Sequence, residues 1–450
     1  MNYPRVVIAG TGSGVGKTAI TAGIMSRLSK NRCVQGYKVG PDFIDPMFHT
    51  LACKRQSRNL DSFFMDKNTI KNLFGWASKD SDISIIEGVR GLYDGLTSVG
   101  DDGSTAEIAK FLNAPVILVI NARSLAKSAA AYVLGFKMLD PDVNIAGVIL
   151  NNVSGDRHRK KATEAIETLT SVPVIGTVEK LPEKLAERHL GLVTTFESDN
   201  SEILRQTSDM VADIDFSQME EIAENASDIQ FNDNCPFETA HSKNIKIGVP
   251  FDKAYSFYYH ENLESLSYAG ADLKYFKPTE GESIPDVDGI YLGGGYPEIY
   301  ASEISSNKDF LEGLKTFSDD NKLIYGECGG MMTLCSSIIN VDEYEMAKVF
   351  PEKAVQTQQR QGLSYVKATA TPDNFLFAGK EIRSHEFHYS HLDPMPSGPF
   401  AYSIHRGTGF NNGFDGKIVN KTIGTYMHQH ALSNKSWGTS FVNFVSDVQS

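Results

Sequence analysis

A glycine-rich loop, GTGSGVGKT at residues 10–18, limits the folds open to this chain more than any other segment. It lies between an apolar, β-branched run at residues 5–9 and a helix-like segment at residues 18–29. In such a strand–loop–helix unit, glycines let backbone N–H groups turn towards phosphate oxygens, and the helix N-terminus adds positive electrostatic potential. The loop therefore predicts a phosphate site, with Lys17 at the outer phosphates and the Thr18 hydroxyl on a Mg²⁺ ion.

Further apolar runs follow the loop, at residues 34–39, 83–87, 116–120 and 145–150. Their apolar residues stand at consecutive rather than alternate positions, which is typical of strands buried on both faces. Helix-like segments, such as residues 105–112, separate the runs. This alternation predicts an α/β fold with a doubly wound, mostly parallel sheet.

The α/β pattern weakens between residues 197 and 243, where the sequence is polar and acidic. We predict a helix near residues 201–219 of this stretch, followed by a linker. A second α/β pattern begins at residues 245–251 and continues towards the C-terminus. The predicted domains are therefore residues 1–196 and 244–450, joined by a helix and linker at residues 197–243.

Charge and composition exclude several classes of protein. The chain has 450 residues, enough for about two or three domains, and a formal net charge of −13. An acidic chain repels nucleic-acid backbones and anionic lipid surfaces. Its first residues lack the features of a secretory signal, its apolar runs are too short to span a bilayer, and its five cysteines form no CxxC pair. We expect a cytoplasmic enzyme without nucleic-acid or membrane partners.

Two acidic segments, GYKVGPDFIDP and IIEGVRGLYDG, follow the second and third predicted strands. Ligands of open parallel sheets collect beyond the carboxyl ends of the strands, so both segments should face the phosphate loop. Mg²⁺ between phosphates needs one or two carboxylates, and Asp42 (or Asp45) and Glu87 are the candidates. Lys38 could neutralise a phosphate or a substrate carboxylate. Each acid alone is more often a cap or turn residue, so the prediction depends on their joint placement.

A second candidate site centres on Cys328 in the segment YGECGGMMTL, between a strand-like run and a helix-like one. A tight elbow of this kind is expected to expose the thiol, and the helix N-terminus to stabilise its thiolate. Upstream, Gly294 and Gly295 in YLGGGYPE could donate backbone N–H groups to a tetrahedral oxyanion. Downstream, His428 in TYMHQH is the candidate base. Cys335 is expected to be structural.

The order of these motifs resembles that of class I glutamine amidotransferases. In that family a glutamate stands two residues after the catalytic histidine, whereas this chain has His430 at that position. The resemblance therefore implies a dyad of Cys328 and His428, and the sequence offers no group that would orient the histidine. A protein that retains only nucleotide binding is one alternative.

Taken together, the motifs resemble the cobyrinate a,c-diamide synthase family over nearly the whole chain. The segments that carry the resemblance are GTGSGVGKT, KVGPDFIDPMFH, EGVRGLYDG, RHLGL, FYYHENLESL, YLGGGYPE, YGECGG, SHEFHYS and TYMHQH. The phosphate loop is similar to that of dethiobiotin synthetase, with Thr11 where the strict Walker pattern has glycine. The resemblance implies two domains: a P-loop domain on a doubly wound, mostly parallel sheet, and a class I glutamine amidotransferase-like α/β domain.

The resemblance also implies a reaction. With ATP and Mg²⁺, the first domain would phosphorylate a tetrapyrrole carboxylate, since an acyl phosphate can expel phosphate whereas a carboxylate must expel oxide. The second would release ammonia from glutamine and pass it, shielded, to that intermediate. Two cycles would amidate the a- and c-side chains of cobyrinate in cobalamin biosynthesis. The alternatives are Ni-sirohydrochlorin of the coenzyme F430 pathway, a cobyric acid synthase-like reaction and a non-catalytic nucleotide switch. A homodimer is compatible with this interpretation.

The resemblance assigns roles to individual residues. Nucleotide would be bound by Gly12, Ser13, Gly14, Val15, Gly16, Lys17, Thr18 and Asn151. The metal would be held by Thr18, Asp42 and Glu87. Lys38, Asp45 and Asp94 would contact the substrate or the intermediate.

Some assignments have a structural alternative. Asn151 matches an adenine-contacting asparagine of the family, and a turn at the end of a strand is the alternative. Asp94 could form a turn, and Arg90 could be a surface charge. The spacing of histidine and glutamate in SHEFHYS suggests metal ligands, but alternation along a strand favours scaffolding or an interdomain contact.

Overall fold

The computed structural model of the protein describes residues 3–179, 194–196, 200–239 and 244–449. The chain folds into two compact units, residues 1–236 and 237–450. The RHLGL motif at residues 188–192 lies outside the described residues. Within the described ranges, no helix is both long and apolar enough to cross a bilayer.

The first unit is built around a parallel sheet. Its strands are β1 (Arg5–Gly10), β2 (Val34–Val39), β3 (Arg58–Leu60), β4 (Ile83–Glu87), β5 (Val116–Asn121), β6 (Ile145–Val153) and β7 (Val174–Glu179). In the part of the chain that the structure describes, their order is β3-β2-β4-β1-β5-β6-β7, and every pairing is parallel. The predicted parallel sheet is confirmed, and the loops after β1, β2 and β4 meet at one edge because these strands are neighbours.

Helices cover the sheet of the first unit. They are α1 (Lys17–Leu28), α2 (Ile44–Cys53), α3 (Lys67–Ala77), α4 (Thr105–Phe111), α5 (Ser128–Leu139), α6 (Asp156–Thr170), α7 (Asn200–Met210) and α8 (Phe216–Glu224). Helix α1 begins directly after the glycine-rich loop, and its residues Ile20 and Ile24 are fully buried.

The predicted single helix at residues 201–219 is wrong, because the structure has α7 and α8 with a break between them. Asp215 starts the second helix by accepting a hydrogen bond from the N–H of Gln218 at 3.0 Å. Both helices belong to the first unit rather than to a linker. The apolar residues of this otherwise polar stretch, Val211, Ile214, Met219 and Ala223, are buried in the core that contains α1.

The second unit is built on a larger, mixed sheet. Its strands are β8 (Ile245–Pro250), β9 (Ala271–Phe276), β10 (Gly289–Leu292), β11 (Leu323–Glu327), β12 (Ser337–Ile339), β13 (Glu343–Glu345), β14 (Lys353–Gln356), β15 (Gly362–Ala370), β16 (Glu381–His388), β17 (Ser390–Asp393), β18 (Phe400–Arg406), β19 (Phe414–Val419), β20 (Thr422–Thr425) and β21 (His428–Gln429). In the described ranges the main sheet has the order β21-β16-β15-β18-β19-β20-β11-β10-β8-β9, and a smaller one has β13-β12-β14-β17.

The main sheet of the second unit has a parallel half and an antiparallel half. Strands β9, β8, β10, β11 and β20 pair in parallel, as an α/β domain requires. The remaining five form antiparallel pairs that end with β16 against β21. The helices are α9 (His260–Tyr268), α10 (Ala301–Ser306), α11 (Lys308–Asp319), α12 (Gly329–Leu334) and α13 (Trp437–Gln449). The elbow between β11 and α12 therefore lies in the middle of the sheet.

Candidate active sites

The glycine-rich loop has the geometry of a phosphate cradle. Gly14 and Gly16 have φ angles of 73° and 93°, in the left-handed region that favours glycine. A side chain at Gly16 would also collide with Asn151, whose Nδ2 would lie 2.3 Å from the added Cβ. Gly12 has open space where a side chain would stand, and Ser13 and Gly14 are exposed. The loop between β1 and α1 thus presents backbone rather than side chains.

Lys17 is folded back onto neighbouring backbone. Its ammonium donates to the carbonyl of Gly12 at 3.4 Å and to that of Arg90. Burial lowers the pKa of Lys17, and the nearby ammonium of Lys38 lowers it further. A phosphate at the loop would offer Lys17 a negative partner in place of these neutral carbonyls.

A charged cluster lies behind the loop. The hydroxyl of Thr18 is 2.8 Å from Oε1 of Glu87 and 3.3 Å from Oδ2 of Asp45. Lys38 bridges the same two oxygens, at 2.9 Å from Glu87 and in close contact with Asp45. The other oxygen of Glu87 lies 2.6 Å from Nε2 of His49. Strands β2 and β4 and helices α1 and α2 bring these five side chains together.

Burial and the charges of neighbouring groups together set the pKa values within the cluster. Burial raises the pKa of Asp45, and the carboxylates of Asp42 and Glu87 raise it further. Burial would lower the pKa of Lys38, but attraction to Asp45 and Glu87 outweighs it and the pKa is raised. For Glu87 the effect of burial is outweighed by Lys38 and His49, and its pKa is lowered.

These residues fit a divalent cation bound between protein and phosphate. The hydroxyl of Thr18 and the carboxylates of Asp45 and Glu87 are hard oxygen donors that lie close together, and Mg²⁺ prefers donors of this kind. Among the described residues no group of three or more His, Cys, Asp or Glu could hold a metal by itself. A Mg²⁺ ion would therefore need phosphate or water oxygens as well.

In this structure Asp42 caps the start of helix α2, and its assignment as a metal ligand stays a prediction. Its Oδ1 accepts hydrogen bonds from the N–H groups of Ile44 and Asp45, at 2.8 and 3.1 Å, at the start of α2. Because α2 begins at Ile44, the side chain of Asp45 rather than that of Asp42 reaches Thr18. His49, one turn later on α2, was not predicted, although KVGPDFIDPMFH places it four residues after Asp45.

The remaining predicted residues of this site make local contacts. Asn151 donates from Nδ2 to the carbonyl of Val15 at 2.9 Å, so it contacts the phosphate loop directly. Asp94 closes a turn by accepting from the N–H of Gly91 at 3.0 Å. Arg90 is exposed and has a φ of 48°.

The second site is formed at the elbow that carries Cys328. Its φ and ψ are 47° and −100°, a strained conformation between β11 and α12, and its N–H donates to the carbonyl of Thr425 at 2.7 Å. Cys328 as a whole is only 8% exposed. Burial raises the pKa of Cys328, and the charge of Glu298 raises it further. The predicted exposed, thiolate-stabilising elbow is therefore wrong, because these effects outweigh the N-terminus of a six-residue helix. Cys335, expected to be structural, is fully buried.

His428 lies on the short strand β21, which pairs with β16 opposite His385. The two imidazole rings stack, with centroids 5.0 Å apart. The ring of His428 also packs on Gly294, where an added Cβ would lie 2.4 Å from Cε1. Gly295 is close to the elbow, since its nitrogen is 3.1 Å from the position of a Cβ on Gly329. The glycine-rich segment, the elbow and His428 therefore form one site.

Gly294 does not have the predicted geometry of an oxyanion donor. Its N–H donates to the carbonyl of Phe257 at 3.2 Å, and the N–H of Phe257 donates back at 3.0 Å. Its lack of a side chain instead makes room for His428. Gly295 has a φ of 152° and lies against the backbone of Ala254, which leaves no room for a side chain.

Two carboxylates near the histidines were not predicted. Oε2 of Glu327 is 3.7 Å from Nδ1 of His428, and Oε2 of Glu261 is 3.5 Å from Nε2 of His430. Glu327 directly precedes Cys328 in the chain, and its place next to this candidate nucleophile is the signal that the sequence offers.

The segment SHEFHYS, most of which forms β16, places its charged and aromatic side chains against one another and against neighbouring strands; Nε2 of His388 is 3.8 Å from Oε2 of Glu386. His385 is 3.1 Å from the hydroxyl of Tyr259, and His388 stacks on Tyr426 with centroids 3.7 Å apart. Glu386 accepts from the N–H of Gly409 at 2.9 Å. These contacts lie within the second unit, and the scaffolding role of the segment stays a prediction.

The two sites combine a nucleotide-binding fold with an amidotransferase fold. Residues 6–192 match the CobQ/CobB/MinD/ParA nucleotide binding domain, and residues 246–436 match the CobB/CobQ-like glutamine amidotransferase domain. The chain is thus of the class of glutamine amidotransferases that carry their own nucleotide-binding domain.

Three relatives identify the family within this class to which the chain belongs. The cobyrinate a,c-diamide synthase of Methanothermobacter thermautotrophicus is 46% identical over 443 residues, which cover 97% of this chain and 98% of the relative. That of Methanocaldococcus jannaschii is 45% identical over 450 residues, covering 99% and 100%. That of Methanosarcina barkeri is 41% identical over 475 residues, covering 98% and 96%. The chain belongs to the cobyrinate a,c-diamide synthase family.

Proposed function

We propose that this protein amidates the a- and c-side-chain carboxylates of cobyrinate, using ATP and the amide nitrogen of glutamine. The observation that carries the proposal is the presence of both sites in one chain. The first has a phosphate loop backed by Thr18, Asp45 and Glu87. The second has Cys328 at a strained elbow, directly after Glu327, whose carboxylate is 3.7 Å from His428. Relatives named cobyrinate a,c-diamide synthase match at about 45% identity over the full length. We place the reaction in the cytoplasm.

In the first site the chain would bind ATP and activate a carboxylate of cobyrinate by phosphorylating it. Backbone N–H groups at residues 12–16 would hold the phosphates, and Lys17 would turn from its carbonyl partners to the outer phosphate. Mg²⁺, held by Thr18, Asp45 and Glu87, would neutralise charge on the phosphates. Lys38, which already bridges two carboxylates, would be close to the carboxylate that receives the phosphoryl group.

In the second site the chain would carry out covalent catalysis. Cys328 would transfer its thiol proton to His428 as Sγ attacks the amide carbon of glutamine. His428 would then give that proton to the departing nitrogen, which leaves as ammonia, and water would release glutamate from the thioester. Because the pKa of Cys328 is raised in the free protein, we expect proton transfer to accompany attack rather than to precede it.

A mass-spectrometric end-point assay tests the proposal. Cobyrinate and Ni-sirohydrochlorin are offered separately with ATP, Mg²⁺ and glutamine. Each amidation replaces OH by NH₂, so two successive mass steps on cobyrinate are the expected result. Two steps on the nickel ring alone would transfer the assignment to that tetrapyrrole. Consumption of ATP and glutamine with neither ring amidated would refute the substrate assignment.

A further inference from the structure

Glu327, which directly precedes Cys328, has no part in the reaction described above. We propose that Glu327 is the positioning residue that orients His428, in the role that class I enzymes give to an acid two residues after the histidine. In this chain that position is His430. The inference rests on the proposed glutaminase function of the second unit.

The carboxylate of Glu327 is held firmly beside the imidazole. Oε2 lies 3.7 Å from Nδ1 of His428. The hydroxyl of Tyr291 donates to Oε2 at 3.0 Å, and the N–H of Gln429 donates to Oε1 at 3.1 Å. Gln429 directly follows His428 on β21, so the acid is bonded to the strand that carries the base. Hydrogen bonds to an ionised group are among the stronger ones, and two of them fix this carboxylate.

Other buried carboxylates of the same unit serve other groups. Glu261 lies 3.5 Å from Nε2 of His430. Glu386 accepts from Ser364 and from the N–H groups of Thr408 and Gly409. Asp415 accepts from the Thr425 hydroxyl and the N–H groups of Gly416, Tyr426 and Met427. Among the residues with a described placement, Glu327 is therefore the acid positioned for His428.

The other titratable groups around His428 do not compete for this role. His385 stacks on the ring from β16 and is 3.1 Å from the Tyr259 hydroxyl through Nδ1. Burial lowers the pKa of His385 well below its usual range, and the neighbouring His428 and His430 lower it further. His385 is therefore neutral near pH 7, and the negative partner of His428 is Glu327.

A carboxylate at Nδ1 would do two things for the base. It would hold the ring proton on Nδ1, so that the lone pair on Nε2 accepts the thiol proton. It would also stabilise the imidazolium that this transfer creates, without taking a proton itself. Burial raises the pKa of Tyr291 well above its usual range, and the charge of Glu327 raises it further, so the tyrosine remains a hydrogen-bond donor.

Glu327→Gln tests the inference in the full chain. Glutamate release is measured during synthesis with ATP, Mg²⁺ and cobyrinate, and the same synthesis is run with ammonium in place of glutamine. We expect glutamine-dependent kcat to fall about 10²-fold with little change in KM for glutamine. Ammonium-dependent synthesis should be retained, which shows that the first unit is intact, and a thermal unfolding scan matching that of the unaltered protein shows that the second unit, which carries Glu327, is folded.

The pH dependence of glutaminase activity distinguishes a role of Glu327 in orienting His428 from a merely structural role. The acid limb of glutaminase kcat/KM reports protonation of His428 in the free enzyme. Loss of the nearby negative charge should move that limb to lower pH by about one pH unit. Glu327→Asp keeps the charge and should restore the position of the limb. Glu261→Gln, which removes a buried carboxylate from His430 instead, is the matched control and should leave the limb in place.

A measurement on the unaltered protein covers the case in which the variants fail to fold. Nitrogen-15 NMR of the His428 side chain should show the proton on Nδ1. A proton on Nε2, or an unchanged kcat and acid limb in Glu327→Gln, would overturn the inference. Absence of glutaminase activity from the unaltered protein would instead refute the proposed function, so the two failures are distinguishable.

Discussion

Single side chains in the two sites are held in protonation states that their buried surroundings determine. In the first site Lys38 is kept charged by Asp45 and Glu87 despite its burial. In the second, burial and the charge of Glu298 keep the thiol of Cys328 protonated. Binding of a cation or of glutamine alters these local fields.

The first prediction concerns the reactivity of Cys328 in the free protein. Only the thiolate is alkylated, and a raised pKa lowers the thiolate fraction at pH 7. We expect iodoacetamide to modify Cys328 at least about tenfold more slowly than the less buried Cys33 and Cys235, with a rate that rises as pH increases. Peptide-resolved mass spectrometry measures all three. Fastest modification of Cys328 at neutral pH would contradict the expectation.

The second prediction concerns Glu298, whose pKa is raised to about 7 by burial. In the unfolded chain this carboxyl has its ordinary pKa of 4.5, so between 4.5 and about 7 the folded state binds more protons. The stability of the protein should therefore fall as pH rises through that window. Glu298→Gln mimics the protonated carboxyl, and should raise Tm by about 3 °C at pH 8 but hardly at pH 5. Parallel thermal scans at the two pH values provide the test, and an equal effect at both would contradict it.

The residue at which helix α2 begins determines which of the nearby side chains reach Glu87. Asp42 precedes the helix and satisfies its first N–H groups. Asp45 and His49 stand four residues apart on the helix, so both face the end of β4 where Glu87 lies. Moving the start of α2 by one residue would turn both away from Glu87.

The third prediction follows from this arrangement. Asp45→Asn should raise the Mg²⁺ concentration for half-maximal ammonium-dependent synthesis by more than about tenfold, because a hard donor is lost. Asp42→Ala should cost about 1 kcal/mol of stability through the lost cap and leave that concentration nearly unchanged. Magnesium titrations and thermal unfolding of both variants decide the matter. The reverse pattern would assign the metal to Asp42.

The contacts that could not be predicted from the sequence also depend on where single elements begin and how they pack. Consecutive apolar runs were sufficient to predict the parallel sheet. Motif order nominated Cys328, His428 and the phosphate loop, and these assignments stay predictions. The sequence could not show which of Asp42 and Asp45 reaches Thr18, because that depends on where α2 begins. Nor could it show Glu327 beside His428, since that contact depends on how β11 and β21 come together in space.

At the scale of the whole molecule, two units with their own cores carry two separable reactions. The phosphate loop belongs to the first unit and the Cys328 elbow to the second. A substitution that abolishes one reaction should therefore leave the activity of the other unit measurable.

The fourth prediction uses that separation. Lys17→Ala should reduce amide formation by more than about 10²-fold with either glutamine or ammonium, because activation of the carboxylate is lost. Cys328→Ala should abolish only the glutamine-dependent reaction. Both rates are measured for both variants by the mass-spectrometric assay. Synthesis from glutamine by Cys328→Ala at the rate of the unaltered protein would exclude this cysteine as the nucleophile.

Helices α7 and α8 pack on the first unit, and this packing affects the order in which the chain can fold during its synthesis. All seven strands of that unit's sheet are complete once residue 179 has been synthesised. Gly23 of α1 is nevertheless covered by Thr207, and the shared core is finished only by Ala223. A nascent first unit therefore exposes an apolar helix surface to the ribosome exit and to chaperones until about forty more residues have emerged.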